Sequence, residues 1–387
     1  MNMSSPVAYD LSPLASLLLI GALVALGPLL WVLLRQRQAG LPHRMRALTL
    51  VTLFLTVDLI LFGAFTRLTD SGLGCPDWPG CYGNASPAGA HAEITAAQTA
   101  MPTGPVTHGK AWIEMIHRYL ASGVGALILV TTAIAWWARR RGEPVQPWWP
   151  TVTLVWVCLQ GAFGALTVTM KLFPAIVTLH LLGGMVLLAL LAAQVASRPA
   201  RQPLAPPPTA GLRTGLWLAY GLLWLQIALG GWVSTNYAVL ACTEFPTCQA
   251  SWWPAMNFSQ GFELWRALGM TGAGEHIHFE ALTAIHYVHR LMAYLVLAAL
   301  ALLAWRLARA GMRTHARWIG LLLLWQFVSG LSNVVLDWPL VAAVAHTGGA
   351  AGLVLVLTQA LVWARRHSVP GVAAVGQRSP VTGGVAA

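Results

Sequence analysis

Apolar residues fall into nine long blocks along this chain, at roughly 14–34, 47–67, 112–138, 148–170, 174–196, 212–234, 282–307, 316–336 and 339–364. Each is long enough to cross about 30 Å of hydrocarbon as a helix of about 20 residues. Pro28 lies inside the first block and marks a candidate kink. The connections between blocks alternate in character: short arginine-bearing links on one side, two long loops at 68–111 and 235–281 on the other. Seventeen basic residues fall on the first side and six on the second. The positive-inside bias therefore places the arginine links in the cytoplasm and the long loops outside. The stretch 1–13 has no basic residue; it is expected outside and does not read as a signal peptide.

Composition agrees with this pattern. The chain of 387 residues is 57% hydrophobic and 9% charged, where soluble domains run near a quarter charged. Its net charge of +11 would raise the question of nucleic acid in a soluble protein. Here the basic residues are topology signals in short links, so no nucleic-acid role is implied. The expected fold is all-α: a polytopic membrane protein of about nine helices.

The chain also repeats. Gln160 and His180 are twenty residues apart, as are Gln326 and His346, with Gly164 matching Gly330 and Gly183 matching Gly349. Cys75-Pro-Asp-Trp-Pro-Gly-Cys81 matches Cys242-Thr-Glu-Phe-Pro-Thr-Cys248 in spacing, and Glu114-Met-Ile-His117-Arg118 matches His286-Tyr-Val-His289-Arg290. Three shared spacings in one order argue for a parallel repeat about an axis along the membrane normal. The expected organisation is an extra N-terminal helix with its link (1–46), a four-helix half (47–197), a proline-rich linker (198–211), a second four-helix half (212–364) and a tail (365–387). The two halves would be pseudosymmetric four-helix bundles.

Ionisable groups inside a membrane are costly and point to function. By helix rise, His117, His180, His289 and His346 lie at one depth, roughly 8–12 Å below the outer surface. Within each half the two sit on the second and fourth helices. Facing imidazoles at equal depth in a bundle core suit six-coordinate haem iron. The glycines after each second histidine (Gly183, Gly184, Gly348, Gly349) would let a flat macrocycle approach the backbone. Arg67, Arg118 and Arg290 are candidate partners for haem propionates, Arg67 best by depth. Zinc would want cysteine or carboxylate at closed spacing, which these pairs lack. His43, His91, His108, His315 and His367 lie in loops or the tail, and His286 reads as a neighbour of the ligands rather than a ligand.

Glu114 lies one turn above His117 on the same helix face, toward the first half's cofactor. The second half has His286 there. A symmetric electron wire needs no carboxylate, whereas an enzyme acting on one bound haem does. An ion pair of Glu114 with Arg118 or Arg67 is the structural alternative. Asp58 lies near mid-membrane, open to a polar partner or a proton path. Cys75 with Cys81 and Cys242 with Cys248 lie in the outside loops, where disulfides persist. Either a loop staple or a labile redox pair fits such a short ring. Cys158 is expected to pack within the membrane.

Thr66-Arg67-Leu68-Thr69-Asp70-Ser71-Gly72-Leu73, then Cys75-Pro-Asp-Trp-Pro, then Glu114-x-x-His117-Arg118, resemble the haem A synthase family over roughly 47–364. The resemblance implies a permanent haem b in the C-terminal half on His289 and His346, and the substrate haem o in the N-terminal half on His117 and His180. It implies stepwise oxidation of the haem o C8 methyl to the formyl of haem a, with oxygen from water, Glu114 as the catalytic carboxylate and electrons passed to a membrane acceptor. It further implies a bacterial inner membrane setting and, as partners, haem o synthase and cytochrome oxidase assembly factors. The extra first helix departs from the family's eight-helix pattern. Two readings from other classes stand beside the enzyme: a dihaem b electron-transfer protein, and a chaperone that delivers haem to a partner.

Overall fold

The computed structural model describes residues 12–197 and 208–366. Most of the expected 1–13 outer stretch, of the 198–211 linker and of the 365–387 tail lies outside the described residues. Among the described residues the fold is all helix: α1 (Ser12–Arg35), α2 (Leu41–Leu68), α3 (His91–Ala100), α4 (His108–Arg140), α5 (Trp148–Thr169), α6 (Pro174–Ala196), α7 (Ala210–Thr235), a 3₁₀ turn (Ala238–Ala241), α8 (Phe258–Gly261), α9 (Phe279–Arg309), α10 (Arg313–Val335) and α11 (Leu340–Arg366). Nine of these are long and apolar enough to cross a membrane, which makes this a polytopic membrane protein. α1 runs unbroken through Pro28.

Local chemistry sets the helix ends. Thr107 and Thr209 cap α4 and α7, their hydroxyls accepting from the amides of Lys110 and Leu212. Pro174 begins α6, where its missing N–H costs nothing. Arg139 and Arg140 close α4, Arg306 and Arg309 close α9, and Arg365 and Arg366 close α11. Cations there oppose the partial negative charge of the helix end and face the cytoplasmic side expected from the basic-residue count. The outer loops hold more structure than their composition suggested. The alanine-rich segment His91–Ala100 forms α3, pinned by the fully buried Ile94.

α2, α4, α5 and α6 form one bundle and α7, α9, α10 and α11 a second; α2 and α6 meet α7 and α11 between them. The repeat extends to the backbone. Asp70 and Tyr237, Tyr82 and Gln249, Lys171 and Asp337, and Leu172 and Trp338 occupy equivalent positions, and all have positive φ. Such matching left-handed turns in non-glycine residues place the corresponding helices of the two halves at the same heights and angles. α1 lies outside this symmetry, along α4 and against α2. The crossing is close because Gly21 and Gly123 lack side chains: a Cβ on Gly21 would overlap Ser122, and one on Gly123 would meet Val24 at 2.9 Å.

Candidate functional site: four imidazoles around one cavity

His117, His180, His289 and His346 all line a single cavity of about 1520 Å³ that runs through both bundles. Ligand pockets are commonly about 300–1,000 Å³, so this one has room for two large flat groups. Each imidazole faces a glycine on a neighbouring helix. A Cβ placed on Gly63 would lie 3.0 Å from His117 Cε1, on Gly164 3.4 Å from His180 Cε1, on Gly230 3.0 Å from His289 Cε1 and on Gly330 3.2 Å from His346 Cε1. Four equivalent cradles hold the four rings.

The rings differ in what holds their second nitrogen. In the second half, Ser329 Oγ donates to the Trp325 carbonyl at 2.7 Å and therefore accepts from His346 Nδ1 at 2.9 Å. This leaves Nε2 without a proton, as a metal ligand requires. Gln226 Nε2 lies 3.1 Å from His289 Nδ1 and donates to the His289 carbonyl at 3.2 Å. In the first half the equivalent residues are Leu59 and Phe163, and His117 Nδ1 and His180 Nδ1 are buried without a partner. An acceptor at Nδ1 orients an imidazole and raises its basicity, so His346 is preset for a tightly held metal; Gln226, donating from its amide nitrogen, fixes the orientation of His289, and the first-half rings have neither support. The donor set fits haem iron in both halves: paired neutral imidazoles, a glycine behind each ring and a long apolar cavity.

Glu114 is buried on the cavity wall. One oxygen pairs with Arg118 Nη2 at 2.5 Å and the other accepts from the Cys75 amide at 2.8 Å. The ion pair weighed from sequence is thus formed, with Arg118 rather than Arg67. His286 takes the matching place in the second half and bonds through Nδ1 to the Ala238 carbonyl at 3.1 Å. A carbonyl only accepts, so that nitrogen carries the proton.

Both cysteine pairs are disulfides, Cys75–Cys81 and Cys242–Cys248, with Cα atoms 4.9 Å apart. Each loop is tied to its bundle by the arginine next to the first histidine. Arg118 Nη1 donates to the carbonyls of Asp77, Pro79 and Gly80 at 2.7–3.1 Å. Arg290 donates to the carbonyls of Glu244 and Thr247 at 2.9 Å and of Cys242 at 3.2 Å. Both arginines also border the cavity. Arg67 borders it too, while pairing with Asp70 at 3.3 Å, donating to the Ser234 carbonyl at 2.6 Å and lying 4.0 Å over the Tyr237 ring. The Tyr237 hydroxyl donates to Asp70 at 2.6 Å. Burial first, with the Asp70 bond adding to it, raises the pKa of that hydroxyl above its usual value, while Arg67 pulls the other way.

Two expectations change. Gly183 and Gly349 face neighbouring glutamine and tryptophan side chains and Gly348 faces Leu61, so of the four post-histidine glycines only Gly184 borders the cavity. Cys158 is exposed and lines the cavity instead of packing in a core. Asp58 is exposed on α2. Sequence reading missed Gly63, Gly230, Gln226 and Ser329; aligning the halves from the cysteine loops would have paired the two glycines.

A family model described as "COX15-CtaA: Cytochrome oxidase assembly protein" matches residues 46–358. The heme A synthase of Shewanella oneidensis is 39% identical over 319 residues, covering 79% of this chain and 92% of that protein. Those of Alkalihalophilus pseudofirmus (26% over 315 residues, covering 78% and 91%) and Rhizorhabdus wittichii (28% over 355 residues, covering 84% and 93%) are also similar. The matched span leaves α1 outside it.

Proposed function

This chain belongs to the COX15-CtaA family of cytochrome oxidase assembly proteins, and from that premise we propose that it makes haem a by oxidising the C8 methyl of haem o to a formyl group. In this reading the substrate haem o sits in the first half between His117 and His180, and haem b resides in the second between His289 and His346. Turning a methyl into a formyl group takes up the oxygen of one water and releases four protons and four electrons. The electrons leave to a membrane acceptor. Iron in the bound haem supplies one-electron chemistry. The observation that carries the proposal is Glu114: where the two halves are otherwise repeated, the first alone has a buried carboxylate one turn from its imidazole.

The chain's own groups divide the remaining work. Arg118 and the Cys75 amide hold the Glu114 carboxyl group on the cavity wall, one partner to each oxygen. There it accepts a proton from, or stabilises positive charge at, the reacting methyl carbon. Ser329 and Gln226 hold the second-half imidazoles for a resident cofactor. The bare nitrogens of His117 and His180 suit a ligand pair that must release its product. Arg67, Arg118 and Arg290 border the cavity with guanidinium groups suited to propionates. The basic-residue count puts the long loops and the N-terminus on the periplasmic face of a bacterial inner membrane. Haem o synthase and oxidase assembly factors are the partners this role calls for.

Glu114→Gln keeps the shape and removes the charge. Haem extracted from membranes carrying this variant should show haem o conversion reduced by about 100-fold or more, with the second-half haem b still bound. Unchanged haem a production would refute the catalytic role and favour a delivery chaperone.

A further inference from the structure

The repeat makes each half a control for the other, and the comparison exposes a slot in the first half only. Below the imidazoles, α4 carries Ser122 and Gly125 on the cavity wall where α9 carries Tyr294 and Leu297. On the facing helix, α5 carries Gly161 and Ala165 where α10 carries Phe327 and Leu331. All eight positions border the cavity, so this is a difference in filling rather than in which way the helices face. A Cβ built on Gly125 or on Gly161 would meet nothing within 4 Å. The first half leaves these positions small, and the second half sets aromatic and branched side chains against the same cavity.

α1 supplies the slot's third side. Leu14, Leu18 and Ala22, spaced four apart and so on one face, border the cavity beside α4, and Gly21 brings the α1 backbone against Ser122. Among the described residues, no helix stands in this place in the second half. The slot runs from Ala121 to Leu129 along α4, about 12 Å of helix rise, and its upper end begins one turn, about 6 Å, below His117. His117 Nδ1 and His180 Nδ1 at that end are buried and unpartnered.

The geometry points to this slot as the seat of the isoprenoid tail of haem o, the chain that distinguishes haem o from haem b. The inference rests on the function proposed above and adds how the two halves sort two nearly identical macrocycles. A tail-bearing haem enters the first half because small residues leave room for it. The second half refuses it because Phe327, Leu331, Tyr294 and Leu297 occupy the same volume. An apolar chain gains by leaving water for such a groove, and a filled groove excludes it by overlap. α1, outside the family-matched span, keeps the tail from open lipid on one side.

Full-length protein made in cells lacking haem o is titrated with haem o and with haem b, and binding is followed by the Soret band. The unaltered protein should prefer haem o in the first half by about tenfold or more, the effect of burying about two methylene groups. Gly161→Phe with Ala165→Leu carries the second-half residues into the slot. It should erase the preference for haem o and leave haem b binding intact. Wild-type preference in this variant overturns the inference; so does equal loss of both haems, or loss of bound phospholipid with haem o affinity unchanged. The reciprocal variant, Phe327→Gly with Leu331→Ala, should let the second half accept haem o, and its failure to do so counts against the slot. His117→Ala separates the two levels. Haem o binding that survives it would defeat the first-half site itself, whereas binding lost with it leaves that reading standing whatever the slot variants do.

Discussion

At the scale of single residues, the two halves share a pair of cavity-lining histidines each and differ in what touches them. His289 and His346 each have a polar group at Nδ1, from Gln226 and Ser329, while His117 and His180 have none. A partner that accepts from Nδ1, as Ser329 does at His346, is commonly worth 10- to 100-fold in metal affinity. Ser329→Ala is expected to weaken haem retention in the second half by about tenfold, measured as haem transfer to an acceptor such as apomyoglobin. Phe163→Ser, its mirror in the first half, should slow release from that half. His289→Ala or His346→Ala should strip haem b altogether, and a full complement of haem b in either variant would contradict the assignment. Glu114 illustrates why a charge can reside here: an arginine and an amide meet both its oxygens, so burial leaves no unpaired oxygen.

At the scale of elements, each disulfide loop and its helix form one unit. Arg290 satisfies three loop carbonyls that would otherwise lie buried without a donor. Arg290→Ala should destabilise the second half by about 3 kcal/mol, read as a lower thermal midpoint and faster reduction of Cys242–Cys248. Reducing that disulfide in the unaltered protein should cost about 2 kcal/mol for so short a ring. The loops are thus lids fastened from inside the bundle, and Glu114 is bonded directly to the first of them.

At the scale of the whole molecule, the four histidine cradles repeat across the two halves, and the proposed function gives one half a resident haem and the other a substrate haem. Purified protein should carry about one equivalent of haem b per chain with substoichiometric haem o or haem a, by extraction and chromatography. Two full equivalents of haem b would favour the electron-transfer reading. A reporter fused after residue 366 should be active only in the cytoplasm, as expected from the basic residues that close α4, α9 and α11.

Nine spans, the repeat and the four histidines that line the cavity were legible in the sequence. Hydropathy and loop charge act through local transfer energies, and a repeat is a matter of spacing. The expected helix limits fell within six residues, missing most at the start of α2, where the polar turn Leu41–Arg46 extends the helix beyond its apolar run. What lay beyond reach depends on which side chains meet across helices. Only the packed bundles placed Gly63 and Gly230 behind the imidazoles, gave Ser329 and Gln226 to one histidine pair, turned Arg118 and Arg290 to the loops and set α1 against α4. Helix packing fixes such contacts through rotation and crossing at the ångström level, and apolar blocks carry no record of either.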